Sequence, residues 1–197
     1  MDTPRFRRPA MPGAAMFHLL PGEDGPTTRA ETGARIAELL VRGARTSGDA
    51  AVVERMVSLA DDHGLELVAD LWQQAPHDSL AGVLWRLYLL RAWVRRDPVR
   101  AAREFDAGRR HAPVAEVVAG VVEPPGPTEV CQLVDEVLRG VARGDLAMTV
   151  ERAAAFARVV AIGRAHLDAP VLSAARLLGT AEQLEEAARL EREGALS

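Results

Sequence analysis

The sequence predicts an all-α protein: a compact array or bundle of eight to nine helices with short connections, arranged around a central aromatic-rich helix at about residues 80–96. Three observations carry that prediction. Ala, Leu, Arg and Glu, all good helix formers, are abundant, whereas Ile36 and Ile162 are the only isoleucines. No segment alternates polar and apolar residues with period two for long enough to make a strand. Finally, Trp72, Trp85, Tyr88, Trp93 and Phe105 crowd into one stretch, within which Leu80 to Val94 is apolar nearly all the way round. A surface helix shows one apolar stripe, so apolar residues on every side mark a helix packed against several neighbours.

Each element follows from local signals. Residues 1–26 carry repeated prolines without sustained periodicity and are expected to form a disordered or loosely ordered arm. Thr28-Arg-Ala-Glu31 has the pattern of a capping box, opening a helix to about Val41 with Gly43 at its exit. Asp49 is placed to cap a second helix that stops at Gly64, and Leu65–Gln74 makes a third. Ser79 caps the aromatic-rich helix. Asp97-Pro98 then ends it and starts the next, with Pro in the first helical position, running to about Gly108.

Pro113–Val122 makes a shorter helix, and Glu123-Pro-Pro-Gly-Pro127 is the strongest break in the chain. Residues 27–197 read as a single helical domain, with 123–127 the one candidate boundary between two lobes. Helices are then expected over Thr128–Val141, Asp145–His166 and Val171–Leu178, with Thr180 capping a last one that ends at Gly194. Ala153, Ala154, Ala155, Ala157 and Ala161 allow the Asp145–His166 helix to approach its neighbours closely.

Composition narrows function mainly by exclusion. The single Cys131 excludes an internal disulfide and reads as a small apolar residue on a helix. No apolar run reaches the roughly 20 residues of a membrane span, and prolines with His18 interrupt any signal-peptide core. A cytoplasmic protein is the expectation. Asp61-Asp62-His63 offers metal-ligand residue types, but adjacent helical residues do not converge on one ion, so neither a metal nor a cofactor is implied. No phosphate loop, nucleophile elbow or cysteine pair is present, and no catalytic residue is assigned.

Charge is segregated. Residues 49–82 hold seven acids against Arg55 alone, while 83–112 hold eight arginines against Asp97, Glu104 and Asp106. Arg95, Arg96, Arg100, Arg103, Arg109 and Arg110 are therefore the candidate residues for contact with an acidic protein face or with phosphates. Arg86 and Arg91 lie inside the apolar helix, where a guanidinium needs a carboxylate or several carbonyls. Glu66 and Asp70 of the preceding helix are the expected partners. The alternative is an interhelical pocket around Trp85, Arg86, Tyr88 and Arg91 that takes a small anion.

Two helix-turn-helix spacings occur, Ala60-x-x-x-Gly64 and Ala174-Ala-Arg-Leu-Leu-Gly179-Thr180, each followed by acidic residues that disfavour DNA. Trp85, Ala101, Phe105 and Pro113 match one tetratricopeptide unit with no second copy, which points to an antiparallel helical hairpin.

The run Ser79-Leu-Ala-Gly-Val-Leu-Trp-Arg-Leu-Tyr-Leu-Leu-Arg91, with Arg95-Arg-Asp-Pro98, Glu123-Pro-Pro-Gly-Pro127 and Val150-Glu-Arg-Ala-Ala-Ala-Phe-Ala-Arg-Val-Val160, resembles small helical proteins of high-GC Gram-positive bacteria over roughly residues 30–193. That group has no established activity. The resemblance therefore implies a helical fold and a cytoplasmic setting and carries over no functional residue. The expectation is a non-enzymatic helical protein that binds another protein or itself. The alternatives are a nucleic-acid-associated regulator using the Arg-rich segment, and a small-ligand binder or enzyme with an interhelical pocket.

Overall fold

A computed structural model describes residues 26–120, 126–167 and 170–197. Among them the chain forms nine helices and no strand: α1 Pro26–Ser47, α2 Ala50–His63, α3 Leu65–Trp72, α4 Leu80–Arg96, α5 Pro98–Arg109, α6 Pro113–Ala119, α7 Pro127–Arg143, α8 Leu146–His166 and α9 Val171–Arg192. The expected N-terminal arm lies outside the described residues but for Pro26, as does most of the 123–127 break.

Four helix starts are built as the local signals require. The side chains of Asp49, Ser79, Asp97 and Asp145 accept from the backbone N–H groups of Ala51, Gly82, Arg100 and Met148. Each cap satisfies a donor that the first helical turn cannot. Gly64 joins α2 to α3 at φ 87°, a left-handed conformation that glycine adopts without steric cost.

Several expectations need correction. No capping box forms at Thr28, because α1 begins at Pro26 and the Thr28 carbonyl instead accepts from the Thr32 hydroxyl. Gly43 does not end α1, which continues through it to Ser47. The expected pair of C-terminal helices is one helix, and Thr180 does not cap it. Its hydroxyl donates back to the Arg176 carbonyl in mid-helix, the usual local bond of a helical threonine. With no turn there, the second helix-turn-helix spacing has no structural counterpart. The first does contain a turn, but α3 is no exposed recognition helix, since Val68 and Trp72 are buried in the core.

The most continuously buried helix is α8, not the aromatic-rich α4. It packs against α5, α6, α7 and α9, and its five singled-out alanines are all buried. The small side chains let neighbouring backbones close in. The helix α4 packs on α1, α3 and α7, with lighter contacts to α5, α8 and α9. The expected α4–α5 hairpin is accordingly loose, because α5 lies mainly against α8 and α7. Helices from either side of the 123–127 break interleave: α7 packs on α1, α2 and α4, and α8 on α5 and α6. One buried cluster runs from Ala37 to Ala188.

Three of the five clustered aromatics enter two separate stacks, one of them completed by Phe156 from α8. Trp72 stacks on Tyr88 with ring centroids 6.1 Å apart, and Phe105 on Phe156 at 5.5 Å. The Trp72 indole Nε1 donates to the Gly33 carbonyl at 2.8 Å, tying α3 to α1. Trp72→Phe removes that donor and leaves a buried carbonyl unmet. The expected cost is about 2 kcal/mol, read from the urea midpoint.

Candidate functional site

The arginines predicted to form a basic contact surface are mostly engaged with acids of the same chain. Arg95 binds Asp135, Arg100 binds Glu104 at 2.7 Å, and Arg109 and Arg110 both bind Asp106. Arg96 and Arg103 are exposed and make no ion pair among the described residues. A neutralised row of guanidiniums offers a phosphate backbone much less than the sequence suggests.

The four residues grouped as a possible pocket do not converge. Tyr88 is fully buried against Trp72, its hydroxyl donating to the Met56 carbonyl, and burial pushes its phenol well above the usual range. Trp85 is half-buried at the edge of the core. Arg91 turns the other way, to α2 and α7. Its Nη1 and Nη2 form a fork with Asp61 at 2.9 and 2.6 Å, and Nε donates to Asp135 at 2.7 Å. Burial opposes its charge, but the bonds to Asp61 and Asp135 outweigh it and raise its pKa. Neither Glu66 nor Asp70 is a partner of Arg91 or Arg86, which corrects the expected pairing.

Arg86 behaves differently. Its Nε donates to Gln183 Oε1 and its Nη1 to the Gly82 carbonyl, both at 2.7 Å. Among the described residues no carboxylate pairs with it, and burial pulls its pKa down. It is a half-buried cation held by neutral acceptors.

Arg86 lines a groove of about 430 Å³ between α4 and α9. Successive turns supply the walls, since α4 presents Arg86, Leu89, Leu90 and Trp93 and α9 presents Leu172, Ser173, Arg176, Leu177 and Thr180. These spacings of three and four residues place each set on one helical face. Arg164 of α8 joins them. It is 6% exposed, its Nε donates to Glu104 Oε2 at 2.8 Å, its Nη1 donates to Ser173 Oγ at 3.1 Å, and its guanidinium carbon sits 4.6 Å from the centre of the Trp93 ring. Its Nη2 lies 2.8 Å from Glu104 Oε2 but makes no hydrogen bond, because that oxygen is off the direction of its N–H bonds. Glu104, itself buried, is shared by Arg164 and Arg100, so this trio keeps a net positive charge.

The groove thus carries Arg86, Arg164 and Arg176 and no acid among its described lining residues. At its rim α9 starts from Pro170, which gives the helix no side-chain cap, so the first-turn amides add further positive potential. Two other cavities lack this imbalance. One of about 500 Å³ along α6, α8 and α9 is lined by Arg158 and Glu151, which pair with Glu185 and Arg192. One of about 590 Å³ beside α1 and α3 contains Arg29 with Glu31 and Asp70. No protein-family model, curated protein or solved structure matches this chain.

Of the sequence-predicted residues, only Arg86 belongs to the groove. Arg164, Arg176, Trp93 and Leu177 were not singled out for it. Their shared faces were readable as helical spacing, but nothing in the sequence pairs the α4 face with the α9 face. His111 and His166 also stack, with ring centroids 4.0 Å apart, at the C-terminal ends of α5 and α8. No group of three or more His, Cys, Asp or Glu among the described residues could hold a metal ion. Cys131 is half-buried, and desolvation raises its thiol pKa, away from reactivity. None of the described helices is long and apolar enough to cross a membrane.

Proposed function

We propose that this chain is a binding protein, and that the α4–α9 groove takes an anionic ligand. The observation that carries this is the presence of three arginines around one apolar groove with no acidic lining residue among those described. The size is in the range of small-ligand sites, and an apolar wall with a few polar groups is their usual composition. A desolvated guanidinium without a carboxylate is costly in the empty protein, so an incoming anion recovers part of that cost.

Thermal melts against a panel of small carboxylates, sulfonates, phosphates, amines and neutral compounds test this. A ligand that saturates the site stabilises by about 2.7 kcal/mol at one hundred times its Kd. The expected result is stabilisation by anions only, abolished by Arg176→Glu. The reading is lost if no anion raises the melting temperature, or if the variant responds like the parent.

The second reading is a protein partner, favoured by Val171 and Leu172 at 81% and 70% exposure beside the groove, with Leu89 at 42%. An acidic amphipathic segment would meet both the apolar rim and the arginines. It predicts a stoichiometric protein in lysate pull-downs that survives nuclease and is lost with Leu172→Asp. Loss of all bound material on nuclease treatment would instead support nucleic-acid contact through Arg96 and Arg103.

A further inference from the structure

We infer that the α4–α9 groove takes an amphipathic helix of another protein, whose acidic residues about seven positions apart meet Arg86 at one end and Arg176 at the other, with apolar residues between them. This rests on the groove being a binding site, and it specifies the protein-partner reading down to the residue pattern that the site selects.

The first argument is where the cations stand. Arg86 donates to Gln183, so these two residues are level across the groove. At the other end the Arg164 guanidinium lies against the Trp93 ring and donates to Ser173 Oγ, which brings Trp93 and Ser173 together. Numbering therefore rises along α4 as it falls along α9, and the two helices run antiparallel. Trp93 is seven residues beyond Arg86 on α4, and Arg176 is seven residues before Gln183 on α9. Either step is about 10 Å at 1.5 Å per residue. Arg176 thus stands beside Trp93, diagonally opposite Arg86. Arg86 has Nε and Nη1 committed and Nη2 without a partner, while Arg176 is exposed and its side chain makes no hydrogen bond or ion pair among the described residues. A small anion at either end leaves the other cation unmet. On a helix, residues i and i+7 share one face about 10 Å apart, which matches the separation of the two arginines.

The second argument is the surface between and around them. The walls between the two arginines are apolar, with Leu89 and Leu90 on α4 and Leu177 on α9. That surface continues out of the groove: Leu89 and Leu172 of the lining are 42% and 70% exposed, and Val171 beside them is 81% exposed. A ligand confined to the groove, about 430 Å³, leaves much of this rim in water. A helix some 10–12 Å across, laid along the groove, covers both rims and inserts apolar side chains between them. No acid is among the described lining residues to oppose its carboxylates. Arg164, which shares Glu104 with Arg100, adds positive potential through the floor at the Trp93 end.

The test is fluorescence anisotropy of labelled synthetic peptides titrated with the full chain. The first peptide has Glu at positions i and i+7, Leu at i+3 and i+4, and Ala and Gln elsewhere over about four turns. The second has the same composition with both Glu moved to the opposite face, and the third has Lys in place of both Glu. The first is expected to bind saturably, to gain helical circular dichroism, and to bind at least tenfold more tightly than the other two, less so in high salt. Arg176→Glu and Leu172→Asp, both at exposed positions, are each expected to weaken it at least tenfold while melting like the parent. Of the two peptides with a single Glu changed to Lys, one and not the other is expected to recover binding to Arg176→Glu.

Equal binding of the first two peptides would overturn the inference by showing that the spacing is not read, and equal binding of the Lys peptide by showing that the arginines are not. Unchanged affinity in both Arg176→Glu and Leu172→Asp would put the peptide elsewhere. Self-association of the chain that Arg176→Glu abolishes would make a second copy the occupant, and overturn it too. Stabilisation by small anions with no peptide bound would end the helix proposal and leave the groove an anion site. Silence from peptides and anions alike would end the reading of the groove as a binding site.

Discussion

Gly163→Val is expected to prevent the native packing of α5 on α8, and Gly163→Ala to destabilise the protein by about 3 kcal/mol or more. The two helices cross with their backbones in contact. A Cβ added at Gly163 would lie 1.7 Å from the Glu104 carbonyl oxygen, and one at Gly108 would lie 1.9 Å from that of Val159. Backbone atoms cannot rotate away as a flexible side chain can, so the helices would have to separate. Separation would also pull Arg164 from Glu104, because that ion pair spans the same crossing. The control is internal. Gly179, in mid-α9, has nothing within 4 Å of where a Cβ would stand, so Gly179→Ala is expected to stabilise by roughly 0.5–1 kcal/mol through helix propensity alone. Urea denaturation of the two alanine variants should give shifts of opposite sign. A Gly163→Ala protein as stable as the parent would show that α5 and α8 do not cross with their backbones in contact.

Arg91→Ala is expected to cost about 3–5 kcal/mol, as is usual when one partner of a buried charge cluster is removed. Among the described residues the guanidinium bridges Asp61 of α2 and Asp135 of α7, and Asp135 is nearly buried. Without it Asp135 keeps Arg95, and α2 loses the ionic tie that Arg91 makes from α4 to Asp61. The pH dependence follows from the Asp61 carboxyl, whose pKa is lowered by the hydrogen bond from Arg91. Its folded value lies below its unfolded one. Its contribution is therefore complete above the ordinary carboxylate range and is lost as pH falls through the folded value. Chemical denaturation between pH 7 and pH 3 should show stability declining on the acid side in the parent and a shallower decline in Arg91→Ala. Parallel curves would exclude Asp61 as a source of the acid sensitivity. By contrast, the Arg139–Glu54 pair is exposed, and Glu54→Gln is expected to cost less than about 1 kcal/mol.

The charged residues explain why the fold was legible and the site was not. Segregation of acids in residues 49–82 from arginines in residues 83–112 is plain in the sequence. Its consequence is internal neutralisation, as in Arg91 with Asp61, rather than a free basic face. Arg86 and Arg91 read alike in the sequence, as cations inside an apolar helix, but Arg91 is buried, Arg86 is half-buried, and their fates diverge. Arg91 meets two carboxylates, whereas Arg86 meets an amide and a carbonyl and keeps an unbalanced charge at the groove. Both sit on the same apolar helix, and no pattern within α4 distinguishes them.

By itself the sequence determined the all-helical class and four of the helix starts, at Asp49, Ser79, Asp97 and Asp145. A cap is a contact between a side chain and an amide two or three residues on, so its whole cause lies within one turn. Only the tertiary structure decided that α8 is the most buried helix, that Thr180 lies in mid-helix, and which arginine meets which acid. Arg91 reaches Asp135 across 44 residues of chain and Arg164 reaches Glu104 across 60. Contacts that distant depend on how helices cross, and at Gly108 and Gly163 the crossing is set by the absence of two side chains, which no local period records.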